Sequence, residues 1–187
     1  MSKEELFKKT QDCRECSFWD WEINVLNEEM GYGKYGCFSY SDKADIMIIG
    51  QNPSRNRFMQ PLNHSLSGKQ GDLFREIFGK NRLILNNLVK ISTPDNKILD
   101  SDAEHGYLHL LEDIETYRPK LIIGLGSYVT RILRKNFIEL NEFTKNFPEM
   151  KAIRFLRHPD FYLSYNPSGL PDYKKQIESI KTAYLQM

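Results

Sequence analysis

Four polar groupings in this sequence have the residue types for chemistry: Gln51-Asn52, Asn86-Asn87, His158 and the Cys13/Cys16 pair. Carboxamides offer a donor and an acceptor on one rigid plane, which suits recognition of a flat polar ligand and the aiming of a water. A histidine can donate a hydrogen bond to an atom on which negative charge develops. Two cysteines separated by two residues have the spacing of metal ligands.

The elements that must carry these groups follow from the apolar pattern. Ile46, Met47, Ile48 and Ile49 form a short continuous run that stops at Gly50-Gln51-Asn52-Pro53-Ser54. Such a run reads as a buried strand of a parallel sheet. The loop beyond it lies at the strand's carboxyl end, where open α/β sheets place ligands. Expected strands are Asp45–Ile49, Leu83–Asn87, Lys120–Leu125 and Lys151–Leu156. Expected helices cover Lys3–Gln11, Gly71–Phe78, Asp102–Tyr117, the stretch after Gly126-Ser127 to about Lys135, and Asp172–Leu185. In the second core helix Leu108, Leu111, Ile114 and Tyr107 are expected inward, with Asp100, Ser101 and Asp102 as N-cap candidates. Arg118-Pro119 ends that helix. Phe18–Tyr40, rich in aromatics and glycine, reads as irregular structure with room for short strands.

Alternation of strand and helix predicts one α/β domain over 1–187: a three-layer α/β/α sandwich around a four-stranded parallel sheet. Within it, 1–43 is an irregular amino-terminal segment and 44–187 the core. The polar groups then gather on the carboxyl rim. Only one of Asn86 and Asn87 can face a pocket there if the strand is regular.

The chain has 187 residues and a formal charge of +1, so net charge does not select a partner. Its distribution is uneven. Residues 1–50 hold six Lys/Arg against ten Asp/Glu, and residues 118–157 hold nine against three. A one-sided basic region attracts phosphates. The amino terminus lacks the apolar stretch of a secretory signal, and no apolar run reaches the ~20 residues that span a bilayer. Three cysteines are an odd number, so a closed disulfide framework is not expected. The reading is a soluble cytoplasmic protein, without membrane association, and monomeric.

GQNPS, then ILNNLVK, RPKLIIGLG and RHPDFYLSYNPS, in that order, resemble the motifs of the uracil-DNA glycosylase superfamily over Asp45–Tyr184. Gly68-Lys69-Gln70-Gly71, Asn87-Leu88-Val89-Lys90 and His158–Pro167 are most similar to the family-four, iron–sulfur type. The resemblance implies a DNA glycosylase that flips a pyrimidine out of DNA and hydrolyses its N-glycosidic bond. On matching positions it implies Asn52 as the residue positioning water and His158 as the stabiliser of the departing base anion. Gly50, Gln51, Pro53, Leu66, Asn87 and Pro159 would line the base pocket. Lys69, Arg157, Tyr162 and Ser164 would contact DNA, with Arg131 and Arg134 as further phosphate contacts. Asp160 has two readings: a substitute base, or an Asx residue stabilising its turn.

Three departures from the family pattern matter. Family four has Glu and Ala where Gln51 and Asn52 stand, and Asn52 is instead similar to the mismatch-specific and single-strand-selective branches. Ile91 and Gly106 stand where the third and fourth cluster cysteines would fall, so an intact 4Fe-4S cluster is not expected. No cofactor is required for the chemistry; a structural zinc on Cys13 and Cys16, completed by Cys37 and His105, is the alternative. Leu66 stands where the family stacks a Phe on the base. This opens a second substrate reading, a bulky modified cytosine of phage DNA excised in anti-phage defence. A third reading is a non-catalytic DNA-binding relative.

Overall fold

In the computed structural model the core is a five-stranded sheet whose buried strands are shielded on both faces. The structure describes residues 1–17, 37–53, 69–91, 93, 97–156 and 169–187. The elements are α1 (Lys3–Asp12), β1 (Phe38–Ser39), β2 (Ile46–Gly50), α2 (Lys69–Phe78), a 3₁₀ turn (Lys80–Arg82), β3 (Leu83–Asn87), α3 (Asp100–Tyr117), β4 (Leu121–Leu125), α4 (Gly126–Lys135), α5 (Phe137–Thr144), β5 (Ala152–Leu156) and α6 (Gly169–Leu185).

The strand order is β1-β3-β2-β4-β5, with β3, β2, β4 and β5 parallel. The fifth strand corrects the expected count of four. β1, inside the stretch read as irregular, pairs antiparallel with β3 through Phe38–Leu85 and Ser39–Ile84. It covers an edge of β3 that would otherwise present unpaired backbone groups. Two residues are too short for an alternating pattern to announce them.

Every residue of β2, β3 and β4 is buried. Alternate side chains divide between two helical layers. Ile46, Ile48, Leu83, Leu85, Leu121 and Ile123 pack with α2 and α6, through Phe74, Ile77, Tyr173 and Ile177. Met47, Ile49, Ile84 and Ile122 pack with α3, α4 and α5, through Tyr107, Leu110, Val129, Leu133 and Leu140. This is the expected α/β/α sandwich.

From β2 the chain passes through α2 to β3 on one side, then crosses back through α3 to β4 on the other side of β2. The helix after β2 lies on one face and the helix after β4 on the opposite face. The crevice between the carboxyl ends of β2 and β4 is therefore the topological switch point of the sheet.

Two details of α3 differ from expectation. Its inward stripe is Ala103, Tyr107, Leu110 and Ile114, while Leu108 is 58% exposed. The run Leu108-His109-Leu110-Leu111 is compatible with two helical phases, and packing against the sheet selects the one that buries Tyr107 and Leu110. The N-cap is Leu99, without a side-chain cap. The acidic residues expected to cap instead occupy the first turn, where the helix dipole favours them. At the other end Arg118 adopts a left-handed conformation, φ 49°, and Pro119 follows. α5 was not expected.

Candidate active site

The rim residues are placed by strand register. Gly50 is paired with Asn87 across β2 and β3. The parallel pairing continues beyond the strands, as Leu88 N donates to Gly50 O at 2.8 Å and Val89 N to Gln51 O at 3.0 Å. The loops carrying Asn52 and Asn87 are thereby held side by side.

Asn52 and Pro53 are both buried. The Asn52 amide nitrogen donates to Thr93 Oγ1 at 3.1 Å and to Pro53 O at 3.3 Å. Both N–H bonds are thus committed, which fixes the amide's orientation and makes Oδ1 the atom that can accept from a water. Thr93 is fully buried; nothing in the local sequence marked it as the anchor of Asn52.

The two asparagines of β3 have opposite fates. Asn86 turns toward α3, where its Nδ2 donates to Asp113 Oδ2 at 2.9 Å. Its Oδ1 accepts from Asn87 N and from Lys90 Nζ. Lys90 Nζ also donates to Asp113 Oδ2 at 2.6 Å and to Asn87 O at 2.8 Å. Lys90 and Asp113 form an ion pair that is 3% and 1% exposed. This buried network locks the turn after β3. Asn87, on the other face of the strand, is also fully buried, and neither Nδ2 nor Oδ1 has a hydrogen-bond partner among the described residues. Two unsatisfied atoms on one buried amide, each costing about 1–3 kcal/mol, call for an explanation.

At the ends of β4 and β5 lies an open hollow of about 520 Å³, lined by Gly126, Ser127, Thr130, Arg131, Arg134, Phe155 and Leu156. Arg131 donates to Asp100 at 2.8 Å, and this guanidinium holds the Asp100 carboxyl below its usual range. Arg134 lies 5.2 Å over the Phe155 ring. The hollow thus has a basic lip, with the first turn of α4 at its floor.

Of the expected site residues, Gly50, Gln51, Asn52, Pro53 and Asn87 are brought together on one rim. Lys69 opens α2. Leu66, Arg157, His158, Pro159, Asp160, Tyr162 and Ser164 lie outside the described residues.

The residues do not fit the iron–sulfur cluster that the resemblance brings with it. Ile91 is fully buried and packs with Cys16 and Val89. A Cβ on Gly106 would stand 2.1 Å from the Leu88 carbonyl oxygen, so no cysteine fits there on this backbone. The Cys13/Cys16/Cys37/His105 zinc set is likewise not the group that the fold assembles among the described residues. Cys37 packs in the layer with Met47 and Ile84, and burial pushes its thiol well above its ordinary range. Cys13 instead meets two histidines of α3. Its Sγ lies 3.1 Å from His105 Nε2, and the rings of His105 and His109 are in edge contact at 4.8 Å. No sequence motif gives His109 a role. The available signal was its spacing of four from His105 on one helix.

A doubly wound α/β sandwich with amides side by side at the carboxyl ends of β2 and β3 and a basic lip beyond β4 and β5 suits a base- or nucleotide-handling class of protein. Comparison narrows it: the sequence model of the Uracil DNA glycosylase superfamily matches residues 38–186, and the chain belongs to that superfamily. It is a DNA glycosylase, a hydrolase of N-glycosyl bonds. It is also similar to the Type-4 uracil-DNA glycosylase of Saccharolobus solfataricus, with 29% identity over 189 residues, 94% of this chain and 83% of that protein. No helix among the described residues is long and apolar enough to cross a membrane.

Proposed function

We propose that this chain hydrolyses the N-glycosidic bond of uracil, or of another modified pyrimidine, flipped out of DNA. The observation that carries the reading is the buried amide of Asn87, without a hydrogen-bond partner among the described residues. A pyrimidine edge presents a carbonyl acceptor beside an N–H donor, which one amide satisfies with both of its atoms. Extraction of the base from the duplex costs a few kcal/mol, and a satisfied Asn87 offsets part of that.

Breaking the bond leaves positive charge on the sugar and negative charge on the base. His158, following β5, donates a hydrogen bond to the base O2 as the electron pair departs; such donors are worth about 3–4 kcal/mol at comparable anion sites. Asn52 Oδ1 accepts from a water and aims it at C1′. A carboxamide is too weak a base to deprotonate that water first, so the water adds to a sugar already cationic and then loses its proton to solvent. The basic lip at Arg134 and the first turn of α4 suit a phosphate of the DNA backbone. We assign the protein to the cytoplasm as a monomer; no disulfide joins its three cysteines, which suits a reducing compartment.

The test is a panel of single- and double-stranded oligonucleotides carrying uracil, thymine mismatches, hydroxymethylcytosine or glucosylated hydroxymethylcytosine. Alkali-labile abasic sites on a pyrimidine substrate are the expected product. Cleavage confined to glucosylated cytosine supports the phage-DNA reading. Salt-sensitive binding with no abasic site on any substrate overturns the catalytic reading.

A further inference from the structure

Cys13, His105 and His109 place one ligand atom each within 4.8 Å of one another. The two histidines are one turn apart on α3, so their rings share a face. Cys13 is brought to them from the end of α1, which is tied to α3 by the Lys9–Glu112 ion pair and by the donation of Ser17 N and Oγ to Asp102 Oδ1, both at 2.8 Å. A tetrahedral zinc with S and N ligands holds neighbouring donor atoms about 3.4–3.6 Å apart. The Cys13–His105 pair is already near that spacing, and the third donor needs to close by about 1.4 Å at most.

A second, independent feature stands behind His109. Its Nδ1 lies 3.6 Å from Glu112 Oε2, and that oxygen is buried with no hydrogen-bond partner among the described residues. A carboxylate behind a histidine fixes the ring and raises its basicity as a metal ligand. With Nδ1 turned to Glu112, Nε2 is free for a metal.

We propose that Cys13 Sγ, His105 Nε2 and His109 Nε2 hold a single zinc-class divalent ion, with water as fourth ligand and Glu112 as the carboxylate orienting His109. The thiol loses its proton on binding. One thiolate and two imidazoles form a borderline-soft set that suits zinc or cobalt(II) over calcium or magnesium. The ion replaces an iron–sulfur cluster as the clamp between the amino-terminal arm and α3, and it takes no part in the glycosidic chemistry.

The full chain, purified without a metal-affinity tag and stripped by dialysis against a chelator, is titrated with zinc and with cobalt(II). Expected are one equivalent bound per chain, intense visible bands of tetrahedral cobalt, and a near-ultraviolet thiolate-to-cobalt band. His105→Ala or His109→Ala abolishes the visible bands. Cys13→Ser removes the thiolate band, and Glu112→Gln weakens zinc about 10–100-fold. Cys16→Ser and Cys37→Ser leave the stoichiometry unchanged. The wild-type titration stands even if a variant fails to fold, which circular dichroism reports. Sub-stoichiometric binding by the wild-type chain, loss of metal in Cys16→Ser or Cys37→Ser, or iron with acid-labile sulfide in the purified protein would each overturn the proposal.

Discussion

Asn87→Leu separates a recognition role from a packing role, because the two predict opposite signs for stability. Leucine has the same branching as asparagine, so it fills the same space with apolar atoms. The wild-type amide is fully buried with both polar atoms unpartnered among the described residues. Replacing such a group by an apolar one of similar shape removes a desolvation cost of about 1–3 kcal/mol per atom. After allowance for imperfect fit, a net gain of about 2 kcal/mol is expected. For a chain of this size each kcal/mol moves the melting temperature by roughly 2–4 °C, so the variant should melt about 4–8 °C higher. Excision should move the other way. Losing two hydrogen bonds to the base edge, each about 1.5 kcal/mol, lowers kcat/KM about 10²-fold. Thermal unfolding and single-turnover excision on the preferred oligonucleotide measure the two quantities. A variant that melts lower than wild type, or one that excises within about threefold of it, refutes the assignment of Asn87 to the base edge.

Three further outcomes follow from the same geometry. Asn52→Ala removes the acceptor for the water and should cut single-turnover excision about 10²-fold or more, while circular dichroism stays native; His158→Ala should lose a comparable factor, and retention of activity by both variants ends the mechanistic reading. Thr93→Val removes the acceptor that holds Asn52 Nδ2, so kcat should fall about tenfold with KM little changed; a rise in KM alone would place Thr93 in substrate binding instead. Lys90→Met leaves Asp113 charged, buried and without its cation, which should cost about 3–5 kcal/mol in urea unfolding; the double variant Lys90→Met/Asp113→Leu should recover most of that loss, and no recovery would show that Lys90 acts through Asn86 rather than through the ion pair.

Continuous apolar runs are the legible part of the fold. Leu83–Asn87 is bounded correctly because the continuous buried run closes on its two amides, Asn86 and Asn87. α5 escaped because its apolar residues are not on one side: Ile138 is 82% exposed and Phe137 42%, while Leu140 is buried. Periodicity is a guide to helices only when packing uses it. The choice between Asn86 and Asn87 could be posed from the alternation of a strand but not decided, since the decision rests with Asp113 on a helix 27 residues away. The Cys13–His105 contact, 92 residues apart, leaves no local trace, although the His105/His109 spacing did.

The segment after β3 explains how an arm at the start of the chain bears on a site at the far rim of the sheet. Leu88 N and Val89 N pair with Gly50 O and Gln51 O. Lys90 is tied to Asp113 of α3, and the Leu88 carbonyl lies against Gly106 of the same helix. Val89 and Ile91 bury Cys16 of the arm, and Thr93 holds the Asn52 amide. Five residues, Leu88, Val89, Lys90, Ile91 and Thr93, thus touch the loop carrying Asn52 on one side, and α3 and the arm on the other. Any clamp that fixes the arm to α3 therefore limits the freedom of Asn52 without touching substrate. In this chain Ile91 adds apolar contact where a cysteine ligand would stand, beside the ion proposed on Cys13, His105 and His109, and Gly106 lets α3 approach the backbone of the turn after β3. Close packing occupies both of those positions, so the site stays braced there without cluster ligands.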